Sequence, residues 1–216
     1  MGAYLVIALE GVEVASQEIV RGRVTAGQAG TLVGLGLCGL LSGVLVWAVI
    51  SFVWEPYIGL TLDFDLAGWN LSLTHLTLVP GFLFGIIVGL VLSRRGLARL
   101  WQVLAYIATA TAANFVATNF AAGMVDTVDS ALVLGMLAGL IGSGCLTAVS
   151  LLLFSFLRRP LPCLLMLAAG TLLGALLEFA LEDSSAFGLG FLVLYGAWQA
   201  GYAAALGTAL PPRQAT

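Results

Sequence analysis

The amino-acid sequence predicts an all-α polytopic integral membrane protein with six transmembrane helices and both termini in the cytoplasm. Three observations lead to this fold class: an apolar composition, six long apolar runs, and arginines confined to one set of loops. Of the 216 residues, 61% are hydrophobic and only 9% are charged, and the mean hydropathy is +1.08. A soluble domain is typically about one quarter charged, so this chain requires lipid as its solvent. With a net charge of -3 and no basic stripe, it is not expected to bind nucleic acid.

Six apolar runs predict the transmembrane helices. Most of them approach the ~20 residues that a helix needs to cross the hydrocarbon core. The second run is at the short limit, and the fourth is long enough to tilt or to extend beyond the core. The runs are 31–53, 76–93, 100–122, 131–157, 161–181 and 187–209.

The loop charges predict the orientation. With six spans, all the basic residues fall on one side of the membrane, and they are Arg21, Arg23, Arg94, Arg95, Arg99, Arg158, Arg159 and Arg213. The opposite loops carry acids and no base, namely Glu55, Asp63, Asp65, Asp126, Asp129, Glu182 and Asp183. Because arginine excess in short loops marks the cytoplasmic side, we expect both termini inside, in the inner membrane of a bacterium.

The segment 1–24 predicts an amphipathic helix before the first span. Glu10, Glu13, Gln17 and Arg21 recur at three- and four-residue intervals, and apolar residues line another face. Such a helix lies at the cytoplasmic interface or against the bundle. The segment has no basic n-region, so it does not read as a signal peptide.

The first outer loop, 54–75, predicts a short β-hairpin. Apolar residues alternate with Thr61, Asp63 and Asp65, which is the period of a strand. The turn-like Ala-Gly-Trp-Asn stretch that follows allows a return strand. Asp63, Asp65 and His75 are candidates to meet around a cation, but their spacing matches no metal pattern, and a solvated polar face is the preferred interpretation.

Small residues recur at four-residue spacing along five of the six spans. That spacing puts them on one helix face, where they let membrane helices approach closely. The pattern predicts packing within the bundle and leaves open a stripe that faces a second copy or another membrane subunit. The predicted packing positions are Gly81, Gly85, Gly89, Gly135, Gly139, Gly170, Gly174 and Gly201.

A polar centre is predicted between the third and fifth spans. Thr111, Asn114 and Thr118 share a helix face, and Glu178 is the only carboxylate inside a predicted span. A carboxylate there is costly unless it is neutral, paired or in reach of water. Gln199 and Tyr202 of the sixth span are candidates for the same interior. Either these groups form a site for a cation, proton or polar solute, or they join helices while Glu178 reaches the interface.

Catalytic chemistry is not indicated. The chain has one histidine and three cysteines without paired spacing, and no nucleotide, hydrolase or metalloprotease motif occurs. We therefore expect no enzyme, no catalytic residues, no cofactor and no metal. Transport or permeation of a small solute or ion is the leading hypothesis. The alternatives are a non-catalytic subunit of a membrane complex and a lipid-binding regulator, with membrane lipid, a second copy or other subunits as partners.

Overall fold

The computed structural model of the chain describes residues 26–54, 61–66, 69–182 and 188–210. The predicted amphipathic helix 1–24 lies outside these residues, as do Arg21, Arg23 and Arg213 and part of the first outer loop. The fold is mostly helical. Its elements in chain order are α1 (Ala26–Val49), a π-helical turn (Ile50–Trp54), β1 (Leu62–Leu66), β2 (Trp69–Leu73), α2 (His75–Arg94), α3 (Leu100–Met124), α4 (Ala131–Leu153), a 3-10 turn (Ser155–Leu157), α5 (Pro160–Gly174), α6 (Leu177–Glu182) and α7 (Leu189–Gly207).

The prediction of six spans is confirmed, because the described residues contain six helical segments that are long and apolar enough to cross a membrane. They fit a multi-pass membrane protein. The cytoplasmic placement of both termini stays a prediction.

The six spans form a closed ring. Each consecutive pair packs together, α1 on α2, α2 on α3, α3 on α4 and α4 on α5, and then α5 packs on α7 and α7 returns to α1. The described arginines lie at one end of this ring, the arginine end, where Arg95 donates to the Thr31 hydroxyl and Gln102 to the Leu153 carbonyl. The β-hairpin lies at the other end, the hairpin end.

The predicted β-hairpin is confirmed as a two-stranded antiparallel sheet that pairs Leu62 with Leu73. It is held to the ring by two side chains of α3, one polar and one aromatic. The amide oxygen of Asn119 accepts from the Ser72 N–H at 2.6 Å, and its nitrogen donates to the Ser72 carbonyl at 3.2 Å. Phe64 also stacks on Phe115 with ring centroids 6.4 Å apart. The hairpin is therefore docked on α3.

Three pairs of helices in the ring are joined by glycine seams. At a glycine seam, a glycine of one helix contacts the backbone of the neighbouring helix. Between α2 and α3, a Cβ on Gly81 would overlap the Ala110 carbonyl, and one on Gly85 would stand 2.7 Å from the Ile107 Cα. Because real Cβ contacts are not this short, only glycine permits such an approach. The α4–α5 and α1–α7 seams are built alike, from Gly135, Gly139, Gly170 and Gly174 and from Gly39 and Gly43.

Two spans end differently from the prediction. The fourth leaves the α-helix after Leu153 rather than 157, because the chain turns so that Phe154 and Leu157 become buried. The fifth is interrupted after Gly174, where the N–H groups of Ala175 and Leu176 bond three residues back instead of four. A short helix then carries Glu178.

Candidate functional site

A cavity of about 110 Å³ lies on the axis of the ring, in the half nearer the hairpin, and it is partly open to the surface. Five of the six spans contribute to it. On α4 its wall runs from Gly135 to Leu146, which at 1.5 Å per residue is about 16 Å of helix. Small residues make most of the wall. Asn114, Thr118 and Gln199 bring polar groups to it.

Asn114 is positioned by a proline in the facing helix. Pro80 lies inside α2 and has no N–H, so the carbonyl of Leu76, four residues earlier, loses its helical donor. The Asn114 amide nitrogen donates to that carbonyl and to the Thr77 carbonyl, both at 2.9 Å. The sequence of α2 thus creates an acceptor that α3 satisfies, and the side chain of Asn114 is oriented by it.

Gln199 approaches the same proline from α7. Its nitrogen donates to the Pro80 carbonyl at 3.1 Å, and its side chain is only 1% exposed. Its oxygen is buried and has no hydrogen-bond partner among the described residues. An unsatisfied buried acceptor of this kind costs about 1–3 kcal/mol, and such groups call for an explanation.

Thr118 and Thr111 differ although they belong to one helix face. Thr118 lines the cavity. Thr111 donates to its own helix at the Ile107 carbonyl, 2.8 Å away, and lines a separate apolar groove between α2, α3 and β2. At Thr111 the backbone of Gly81 lies against α3, so the axial side of the helix is already covered there. The structure therefore places Thr111 outside the site.

Tyr202 lies beneath the cavity and is fully buried. Its ring stacks on Trp198 at 5.5 Å and meets Phe84 edge-on at 5.9 Å. The three rings form what we call the aromatic floor. The Tyr202 hydroxyl bonds the Thr147 hydroxyl at 3.0 Å, on the side away from the cavity. The floor separates the cavity from the arginine end.

Glu178 does not line the cavity, although its neighbour Leu177 does. The carboxylate is half-buried on α6, and within the described part of the chain it makes no hydrogen bond or ion pair. The structure brings together Asn114, Thr118 and Gln199 and separates from them Thr111, Tyr202 and Glu178. Glu178 makes no hydrogen bond to the polar face of the third span.

The predicted packing glycines lie on the ring's inner contacts and at the cavity wall. Gly81, Gly135, Gly139 and Gly174 line the cavity, while Gly85 and Gly89 face α3, Gly170 faces Ser143 of α4, and Gly201 faces Leu173 of α5. The sequence signals that went unused were Pro80 within an apolar run and the aromatic pair Phe84 and Trp198. Pro80 was the stronger one, because a proline inside a helix always frees a carbonyl.

Metal ligation finds no support in residues 26–54, 61–66, 69–182 and 188–210, which contain no group of three His, Cys, Asp or Glu side chains able to hold an ion. Cys38, Cys145 and Cys163 are free thiols. No protein-family model, no curated protein and no solved structure matches the chain.

Proposed function

We propose that this protein moves a small solute across a membrane, in our expectation the inner membrane of a bacterium, by way of the axial cavity. The observation that supports the proposal is that Gln199, whose buried oxygen has no hydrogen-bond partner among the described residues, lines the cavity together with Asn114 and Thr118. Ligand sites combine an apolar wall with a few convergent polar groups, and the lining of this cavity has that composition.

The cavity size limits the solute. An apolar cavity of about 150 Å³ accommodates benzene, so about 110 Å³ suits a molecule of up to roughly five non-hydrogen atoms. The aromatic floor closes the route toward the arginine end. Passage therefore requires Phe84, Trp198 and Tyr202 to move, which favours a carrier or a gated pore over an open channel.

Proteoliposome uptake of a panel of solutes with up to six non-hydrogen atoms tests this proposal. We expect at least one solute to enter faster than it enters protein-free vesicles. Ala117→Leu, which places a side chain in the cavity, should reduce that uptake at least tenfold. Ala112→Leu is the matched control, because Ala112 is exposed on the outer side of the same helix, and it should leave uptake unchanged.

Folding of each variant is checked by gel filtration and thermal unfolding in mild detergent. If Ala117→Leu does not fold, Ala138→Leu fills the same cavity from α4. The proposal is overturned if no solute enters faster than it enters protein-free vesicles. It is also overturned if the cavity-filled variant and the control variant take up a solute at the same rate. Co-purifying subunits or lipid would then favour the assembly or lipid-binding role.

A further inference from the structure

Both amide side chains at the cavity direct their nitrogens to backbone carbonyls. Asn114 uses its nitrogen for Leu76 and Thr77, and Gln199 uses its nitrogen for Pro80. Asn114 thereby commits both of its N–H groups, whereas Gln199 commits one of its two. Neither amide oxygen accepts a hydrogen bond from a described residue, so both oxygens remain as acceptors.

The α2 backbone determines this orientation. If the Asn114 amide were flipped, its oxygen would face the Leu76 and Thr77 carbonyls, and acceptor would meet acceptor. Pro80 supplies no N–H to relieve the Leu76 carbonyl. The same reasoning applies to Gln199 beside the Pro80 carbonyl. At Asn114 the fold therefore leaves only an acceptor, and at Gln199 it turns the oxygen away from the Pro80 carbonyl.

Two hydroxyl side chains also belong to the lining, those of Thr118 and Tyr195, and both can accept from the same ligand. The hydroxyls of Thr109 and Thr111 donate to carbonyls four residues earlier. The Thr118 hydroxyl makes no such bond to any residue that the structure describes, so it is available at the cavity as donor or acceptor. No Lys, Arg, Asp or Glu is among the lining residues.

The walls and the charge distribution both favour a cation. Phe84 and Trp198 present aromatic rings at the cavity, and ring faces attract cations. The hairpin end carries only acids in the part of the chain that the structure describes, and every described arginine lies at the opposite end. A negative potential at the end of the ring nearer the cavity concentrates cations and repels anions. The acids are Asp63, Asp65, Asp126, Asp129, Glu178 and Glu182.

We infer that the ligand of the cavity is a small cation that carries N–H donors, such as an ammonium or guanidinium group with few carbon atoms. This inference rests on the proposed transport function and specifies its substrate class. The acceptor oxygens of Gln199 and Asn114 take the place of water around the N–H groups, as backbone carbonyls replace the hydration shell of ions in channel filters.

Guanidinium, urea and nitrate test the inference, because all three are planar, have four non-hydrogen atoms, and differ in charge as +1, 0 and −1. Uptake into proteoliposomes is measured from vesicle contents after rapid filtration, with K⁺ and valinomycin to dissipate the membrane potential. We expect guanidinium uptake to exceed urea uptake about tenfold and nitrate uptake to equal that of protein-free vesicles. Tetramethylammonium, a cation without N–H groups, should also stay at the protein-free rate.

Variants locate the effect at the cavity. Removing one hydrogen-bonding group typically costs about 1 kcal/mol, so Thr118→Val should reduce guanidinium uptake about fivefold. Gln199→Met should reduce it tenfold or more. Thr111→Val, the same change seven residues away on the same helix but outside the cavity, is the control and should leave uptake unchanged.

Failure of this inference can be told apart from failure of the transport proposal. If urea, nitrate or tetramethylammonium enters as fast as guanidinium and Ala117→Leu blocks that uptake, the cation inference is overturned while transport stands. If Thr118→Val and Thr111→Val behave alike, the cation inference is also overturned. If no solute of either panel enters above the protein-free rate, both proposals are overturned.

Discussion

The hairpin half and the arginine half of the ring are built from the same helices, yet they differ in what occupies the axis. In the arginine half, large side chains fill it, and Leu92, Tyr106, Met166 and Leu206 are fully buried. In the hairpin half, glycine and alanine surround a cavity that Asn114, Thr118 and Gln199 also line.

The difference shows that a glycine at a helix contact has two consequences. A glycine at a helix contact lets two backbones approach, which strengthens the contact. The same glycine contributes no side-chain volume to the axis. Where Gly81, Gly135, Gly139 and Gly174 cluster at one level of the ring, the seams are tight and the centre is left open. In the arginine half, Phe154 and Leu157 of the α4–α5 connection are folded inward and help to fill the space.

The largest expected effect is at a seam. Gly174→Ala places a Cβ 3.0 Å from the Gly139 Cα and against the Gly135 carbonyl, so α4 and α5 must separate, at a cost of about 3 kcal/mol. Gly144→Ala is the control on α4, because its Cβ meets nothing nearer than Leu167 at 4.0 Å. It should change stability by less than about 1 kcal/mol. Thermal unfolding in mild detergent measures both, and equal shifts would contradict a seam at Gly174.

A second effect concerns the proline that orients the cavity. Asn114→Leu removes the donor to the Leu76 and Thr77 carbonyls and should destabilise the fold by about 1–3 kcal/mol. In a Pro80→Ala background, the restored N–H of residue 80 can bond the Leu76 carbonyl, so the same change should cost less. A double-mutant cycle in the unfolding free energy isolates this coupling. Strict additivity of the two changes would refute the link between Pro80 and Asn114.

Two buried tyrosines, Tyr202 and Tyr106, differ in whether their hydroxyls are hydrogen-bonded. The Tyr202 hydroxyl bonds Thr147, whereas the buried Tyr106 hydroxyl has no hydrogen-bond partner in the described part of the chain. Tyr202→Phe should therefore lose about 1 kcal/mol of stability, and Tyr106→Phe should be neutral or slightly stabilising. The unfolding free energies of the two variants provide the test, and a larger loss for Tyr106→Phe would reverse the assignment.

The smallest effect on global stability is expected at the hairpin. Asn119→Leu removes both bonds to the Ser72 backbone and should release the hairpin from α3 while the ring stays folded. Hydrogen exchange at the Ser72 amide should accelerate about tenfold, with little change in the melting temperature. Asn70→Ala, an exposed change on the same strand, should have no effect. Unchanged exchange in Asn119→Leu would show that Phe64 and Phe115 alone hold the hairpin.

Much of the architecture could be predicted from the sequence because it depends on local patterns. Span length follows from the thickness of the bilayer, and the alternation around Asp63 and Asp65 follows from the two-residue period of a strand. The interruption after Gly174 could not be predicted in this way. It occurs where α5 presses against Gly135 and Gly139 of α4, a contact between residues distant in the chain.

The candidate site was only half predictable, for a related reason. Helical spacing puts Thr111, Asn114 and Thr118 on one face, but it does not say which part of that face another helix covers. Gly81 covers it at Thr111 and leaves it open at Thr118. Glu178 was singled out because a carboxylate in a span is costly, yet that cost is a property of the residue alone and carries no information about its neighbours.

The sequence by itself determined six helices that are long and apolar enough to span a membrane, a short hairpin and small-residue helix faces, since hydropathy and periodicity act within one segment. Only the tertiary structure decided that the helices close into a ring, that Asn114 and Gln199 donate to backbone carbonyls of α2 around Pro80, and that both side chains line a cavity. Those outcomes depend on contacts between side chains of different helices. The free energy of such contacts depends on how closely two helix backbones approach, which the sequence of one helix does not specify.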